Sequence, residues 1–393
     1  MSVAVDLPEL TADESAHGHL LTECIRDEIA RSGGWMSFAR FMEMALYEPG
    51  LGYYSAGARK LGAAGDFVTA PEVAPVFSRC LAVQCAEILG SLGGGSVLEL
   101  GAGSGVMAAA MLAEFERLGA LPERYRILDV SADLRERQRV ALEQAVPHLL
   151  HRVEWLDRLP DEPMTGVIVA NEVLDAMPVE RFVVRGGEVN ALGVTWHLGR
   201  LDWSEVRAPA ALRDHVLGLR HELGTEWPDG YTSEVNASLA PWLAAVARLL
   251  GRGVALFVDY GLPRREYYAP ERSEGTLLCH FRHRFHADPF ARPGLQDITA
   301  WVDFTAVAEA AAAAGLGVAG YTTQAHFLIG NGIAGYVANV ADLDLVQRVN
   351  LSRQAMVLTL PGEMGERFKV IALARDCAAP LAGFGVRDLR HLL

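Results

Sequence analysis

Lysine is nearly absent from this chain: only Lys60 and Lys369 occur among 35 basic residues, against 49 acidic ones, for a formal charge of −14 at pH 7. With no Lys/Arg-rich block, a nucleic-acid surface is disfavoured, because phosphate binding needs a concentrated basic field. The acidic balance instead leaves room for a cationic or protein substrate. Long apolar runs are also missing, since the alanine-rich stretch 306–314 is short and carries Glu309, so no membrane span is expected. Residues 1–20 hold Asp6, Glu9, Asp13 and Glu14 and no apolar core, unlike a secretory leader. Cysteine is scarce: the five, at 24, 80, 85, 279 and 377, are odd in number and lack paired metal-site spacing. Reduced thiols in a cytoplasmic protein are the expectation.

What is present is apolar content and glycine. A hydrophobic share of 51% over 393 residues is ample for a sizeable core and exceeds one ordinary domain, so an α/β core with large insertions is expected. The run Val97-Leu98-Glu99-Leu100-Gly101-Ala102-Gly103-Ser104-Gly105 joins an apolar strand to a glycine turn and then to a helical pattern. Such a turn lies at the carboxyl ends of parallel strands, where Gly101 and Gly103 let backbone approach a bound nucleoside. Val106 stands where a dinucleotide-binding GxGxxG loop has its third glycine,. With Glu99 two positions before the first glycine, the segment resembles motif I of S-adenosylmethionine (SAM) methyltransferases, which makes Glu99, Gly101, Gly103 and Gly105 cofactor candidates.

A second strand at 125–130 ends on Asp129, about twenty residues beyond the loop, the place of a carboxylate that binds ribose hydroxyls. Ser131 then caps a helix. The third strand, at 152–156, carries Trp155, either a core aromatic or an adenine contact. Ahead of the core, residues 53–72 form a glycine-rich loop containing Asp66 and Thr69; it is either a lid over the ligand or a surface turn before a helix near Pro71. Asp66 and Thr69 join the cofactor candidates on the first reading.

The fourth strand, at 166–170, is followed by Asn171-Glu172-Val173-Leu174-Asp175. If this segment turns into a short helix, Asn171, Glu172 and Asp175 share one face and reach one cleft. Helix capping is the plainer explanation for any one of them; two clustered carboxylates fit it less well. Residues 181–235 read as a β-rich insertion with a hairpin at Gly186-Gly187. A fifth strand at 254–261 leads into a long segment, 262–300, with His280, His283, His286, Asp288 and Asp297. Arg282, Arg284 and Arg292 are interleaved with these histidines and the spacing is not that of a standard site, so no metal is expected. Four regions result: 1–95 helical and lid, 96–180 first half of the core, 181–235 insertion, and 236–393 second half with the 262–300 loop.

The ordered motifs GDFVTAPEV (65–73), VLELGAGSG (97–105), LDVSADLRERQ (128–138), ANEVLDAMPVERF (170–182), DYG (259–261), HADPFARPGLQDITAWVDF (286–304) and GERFKVIALAR (365–375) together resemble the MidA family of SAM-dependent methyltransferases. The resemblance implies a class I methyltransferase fold, Rossmann-like, with a mostly parallel seven-stranded sheet, and SAM as cofactor. It further implies protein-arginine methylation of a respiratory complex I subunit, the role of the mitochondrial members. Two positions depart from the family: Asp129 stands where many members have glutamate, and Trp301 replaces a common histidine. On this reading Glu172 and Asp175, with Asn171, clamp a guanidinium, and Glu99 places the methionine end of SAM. A small-molecule or other protein N-methyltransferase and a non-catalytic SAM-binding assembly factor stay open at this point, as does oligomeric state.

Overall fold

The computed structural model describes residues 7–56, 69–129, 131–338 and 344–393. Its central sheet contains β1 (Ser96–Leu100), β2 (Tyr125–Leu128), β3 (Val153–Leu156), β4 (Met164–Asn171), β5 (Leu250–Leu262), β6 (Gly317–Thr323) and β7 (Phe368–Arg375). The order across the sheet is β6-β7-β5-β4-β1-β2-β3, with a two-residue strand, Val302–Asp303, pairing beside β5. The ladders from β3 to β5 are parallel, and β7 runs antiparallel to both β5 and β6. β1 and most of β4 are buried, as expected of parallel strands covered by helices on both faces. Strand order reverses at β1, whose neighbours are β2 and β4, so ligands should meet the carboxyl ends there.

β5 starts at Leu250, ahead of the expected 254. Its ladder with β4 already pairs Met164 with Leu250 and Gly166 with Gly253. The strand runs through Gly251 and Gly253 directly after the helix Leu239–Leu249 ends.

Helices α1 (Ala12–Arg31) and α2 (Phe38–Tyr47) precede the core, followed by α3 (Ala70–Val73), α4 (Pro75–Leu92), α5 (Val106–Leu118) and α6 (Ala132–Ala145). α4 packs beside α5 on the sheet and buries Phe77, Leu81, Cys85 and Ile88. It thus packs with the central sheet although it lies before residue 95. α1 and α2 turn elsewhere: Leu21, Ile25, Phe38 and Phe41 share a second core with Val194, Leu277, Cys279 and Ile298. Those partners come from two later segments. One is a four-stranded antiparallel sheet, Glu180–Arg185, Glu188–His197, Arg200–Arg207 and Thr232–Val235; the other is a three-stranded sheet, Leu278–Phe281, Arg284–His286 and Asp297–Thr299. Met36 and Val194 exchange backbone hydrogen bonds of 3.0 and 2.8 Å. The N-terminal helices, the insertion and the 262–300 segment therefore share one lobe, and that last segment holds a short helix, Arg264–Tyr267, and three strands.

Candidate active site

A cavity of about 720 Å³ opens at the carboxyl ends of β1, β2 and β4, within the size range of small-ligand sites. Glu99, Gly101, Gly103, Asp129, Thr69, Asn171 and Glu172 line it, and the lobe adds Tyr47 and Tyr54. Its apolar wall is built from Leu128, Leu134, Leu159, Trp242 and Val246. Asp66 lies outside the described residues.

Two candidates, Gly105 and Asp175, and Trp155, whose two readings were open, lie outside the cavity wall. Gly105 is absent from the cavity wall; at φ +86° it caps α5, and a Cβ there would stand 2.7 Å from the Cα of Gln138. The missing side chain lets α5 and α6 pack closely there. Trp155 is likewise outside the wall: its indole N–H donates to Gln138 Oε1 at 3.1 Å, and the Arg139 guanidinium lies 5.0 Å from its ring centroid. Among the described residues, the tryptophan that lines the cavity is Trp242, on the helix Leu239–Leu249. Asp175 does not line the cavity either.

The cause lies in the turn after β4. Residues 172–177 form no helix. One oxygen of Asp259, Oδ2, accepts the backbone N–H groups of Val173, Leu174 and Asp175 at 3.2, 2.9 and 3.3 Å. Glu172 takes the left-handed conformation, φ +53°, which a non-glycine residue adopts only when its surroundings hold it. Glu172 lines the cavity, while Asp175 is buried, pairs with the Tyr260 hydroxyl and acts on Glu172 through its charge. Asp259 lies within β5, in the DYG run 259–261, and that motif was its only signal in the sequence.

Glu172 Oε1 accepts from the Asn171 amide at 2.9 Å and from the Ala70 N–H at 3.4 Å. Burial, reinforced by the Asp175 charge, pushes its carboxyl up to about 8 despite these bonds. Asn171 Oδ1 is buried without a partner. Tyr47 and Tyr54 stack at 5.5 Å between centroids; their hydroxyls donate to Ala176 O at 2.9 Å and Asp297 Oδ1 at 3.0 Å. The first bond ties the lobe to the β4 turn, and the second lies within the lobe. Among the described residues no cluster of three or more His, Cys, Asp or Glu side chains could hold a metal.

At the glycine loop, Gly101 has φ +69° and a Cβ there would meet Val173 Cγ2 at 2.9 Å. Glu99 is fully buried; Tyr125 donates to its Oε2 at 2.6 Å, and its Oε1 has no partner. Burial raises this carboxyl to about 7, with the Tyr125 bond opposing. Asp129 accepts from Ser131 N–H through Oδ1 at 2.9 Å and from the Gln138 amide through Oδ2 at 2.8 Å. The Ser104 hydroxyl donates to the Glu72 carboxylate from α3. An orphaned acceptor at Glu99 suits the amino group at the methionine end of SAM. The Glu72 charge beside the glycine loop would repel the pyrophosphate of a dinucleotide.

A seven-stranded sheet in this order, with a glycine-loop cavity at its switch point, is the architecture of class I SAM-dependent methyltransferases. A family model of S-adenosyl-L-methionine-dependent methyltransferases matches residues 80–322. A crystal structure of a Burkholderia thailandensis relative bound to S-adenosyl-homocysteine is 41% identical, with a TM-score of 0.94 over 99% of this chain and 100% of that one. Among curated proteins, the mitochondrial protein arginine methyltransferase NDUFAF7 of Danio rerio is 28% identical over 89% of each chain. Its Drosophila melanogaster homologue is 26% identical, covering 94% of this chain and 90% of its own. This chain belongs to the MidA family of SAM-dependent methyltransferases, and SAM is its cofactor.

Proposed function

We propose that the protein is a protein-arginine N-methyltransferase that modifies a subunit of respiratory complex I. The observation that carries this reading is the charge of the cavity. Glu72, Glu99, Asp129, Asp133 and Glu172 line it, and none of the described lining residues is Lys, Arg or His. Such a wall favours a cationic donor together with a cationic acceptor. The names of the curated relatives, protein arginine methyltransferases, support the guanidinium as that acceptor.

When bound, SAM supplies an electrophilic methyl group on a sulfonium. The residues of this chain orient the nucleophile and keep water out. Asn171 Oδ1, buried and unpartnered, accepts an N–H of the incoming guanidinium. Glu172 lies beside it, its Oε1 fixed by the Asn171 amide. As the acceptor nitrogen gains the methyl it loses a proton, and the Glu172 carboxylate takes that proton up. A carboxyl raised to about 8 is suited to this near neutral pH. The Tyr47–Tyr54 stack offers a planar cation a π face within the same cavity. Asp175, behind the wall, keeps a structural place with Tyr260.

The test is mass spectrometry of complex I subunits from a strain lacking this protein. Loss of methylation at one or more arginine side chains is expected; an unchanged arginine-methylation pattern would overturn the reading.

A further inference from the structure

We propose that Gln138 is a positioning residue that aims the Asp129 carboxylate at the two hydroxyls of the SAM ribose, and that Trp155 locks the Gln138 amide in the orientation this requires. The inference rests on Asp129 as the ribose ligand.

Gln138 lies on α6 and is fully buried. A buried amide with unmet hydrogen bonds is destabilising, so its bonds reveal its orientation. Its Oε1 accepts from the Trp155 indole N–H at 3.1 Å. An indole nitrogen can only donate, so the amide oxygen faces Trp155 and the NH₂ group points the other way. That group donates to Asp129 Oδ2 at 2.8 Å and to the Gly103 carbonyl at 3.1 Å, which uses both amide hydrogens.

Asp129 is thus held at both oxygens, Oδ2 by Gln138 and Oδ1 by the Ser131 N–H. Each ionised oxygen keeps acceptor capacity, and the residue lines the cavity,. Two acceptors on a fixed carboxylate match the two donors of a vicinal diol. Gln138 itself is not part of the cavity wall, so it acts through Asp129 and through the glycine-loop carbonyl it braces. Gly105 makes this approach possible, because a Cβ there would stand 2.7 Å from Gln138 Cα. Arg139, 5.0 Å from the Trp155 ring centroid, packs over the indole from the same helix.

The experiment measures calorimetric Kd values for S-adenosylhomocysteine and its 2′-deoxy analogue with the full chain and three variants, Asp129→Ala, Gln138→Leu and Trp155→Phe. Hydrogen bonds to a charged group of ordinary strength give the wild type a preference of about 10–100-fold for the ribose form. Gln138→Leu keeps the carboxylate but is expected to reduce that preference to within about threefold, mainly by weakening the ribose form. Trp155→Phe frees the amide to flip and is expected to reduce the preference by about three- to tenfold. If Gln138→Leu fails to fold, Trp155→Phe decides alone. Equal weakening of both nucleosides, the mark of a packing role, overturns the proposal, as does a full preference retained in the Gln138 and Trp155 variants. A full preference retained in Asp129→Ala refutes the ribose reading itself; loss there with none at Gln138 or Trp155 refutes only the positioning role.

Discussion

The Ser104 hydroxyl donates to the carboxylate of Glu72, which sets a negative charge at the end of the glycine loop where α5 begins. In dinucleotide-binding folds the ligand's phosphates occupy that place, drawn by free N–H groups and the helix dipole. Here the same electrostatics are already met by a side chain, and the cavity behind it is acidic.

SAM and S-adenosylhomocysteine should therefore stabilise the protein, and NAD and NADP should not. At ligand concentrations about 100-fold above Kd, the expected gain is about 2.7 kcal/mol. Thermal unfolding with each ligand checks this; a Tm rise with a dinucleotide alone would point to a different cofactor.

Gly101→Val places a branched side chain at φ +69° with its first carbon 2.9 Å from Val173 Cγ2. SAM affinity should fall by at least about tenfold, because both backbone strain and a displaced β4 turn distort the loop. Calorimetry on a variant shown folded by circular dichroism measures it, and wild-type affinity would show that the loop tolerates the side chain.

Glu172→Gln should lower kcat by about two orders of magnitude or more with SAM affinity little changed, as befits a group used mainly in the transition state. The wild-type rate should rise with pH through about 8 as Glu172 loses its proton, and the variant should lack that limb. Linkage adds a second readout. A carboxyl raised from its ordinary value of 4.5 to about 8 favours the protonated folded state, so its contribution is full below the unfolded pKa and is lost as pH rises through the folded one. The variant should gain stability relative to wild type between pH 5 and pH 9, on the order of 1–3 kcal/mol. Parallel unfolding curves at the two pH values would reject this if they shifted equally.

Asp175→Asn should behave differently from Glu172→Gln despite the short sequence distance. Its carboxylate is buried behind the cavity and faces Tyr260, so turnover should stay within about tenfold of wild type while stability changes by about 1–3 kcal/mol. Single-turnover methyl transfer by both variants distinguishes them; equal losses of rate would restore Asp175 to the acceptor clamp.

Much of the core was legible because its signals are local. The apolar run ending at Leu100, the glycines after it and the acid at Asp129 fall within short windows that backbone chemistry constrains directly. The lobe was not, since its core joins Phe41 to Val194 and Ile298, contacts between segments far apart in sequence that no periodicity reports. The β4 turn was misread for a related reason: spacing alone favours a helix over 171–175, but Asp259, on another strand, collects three of its N–H groups. Trp155 was ambiguous because its hydrogen-bond partner, Gln138, is a side chain on α6. Tyr47, Tyr54, Glu72 and Trp242 reach the cavity from elements outside the glycine-loop region, and only the folded chain brings them there.

The most direct measurement is transfer of a radiolabelled methyl group from SAM into proteins of a cell extract, followed by acid hydrolysis and amino-acid separation. Label in methylarginine, present with the wild-type protein and lost with Glu172→Gln, is expected. Label confined to small molecules, to another amino acid, or to nothing at all would contradict protein-arginine methylation.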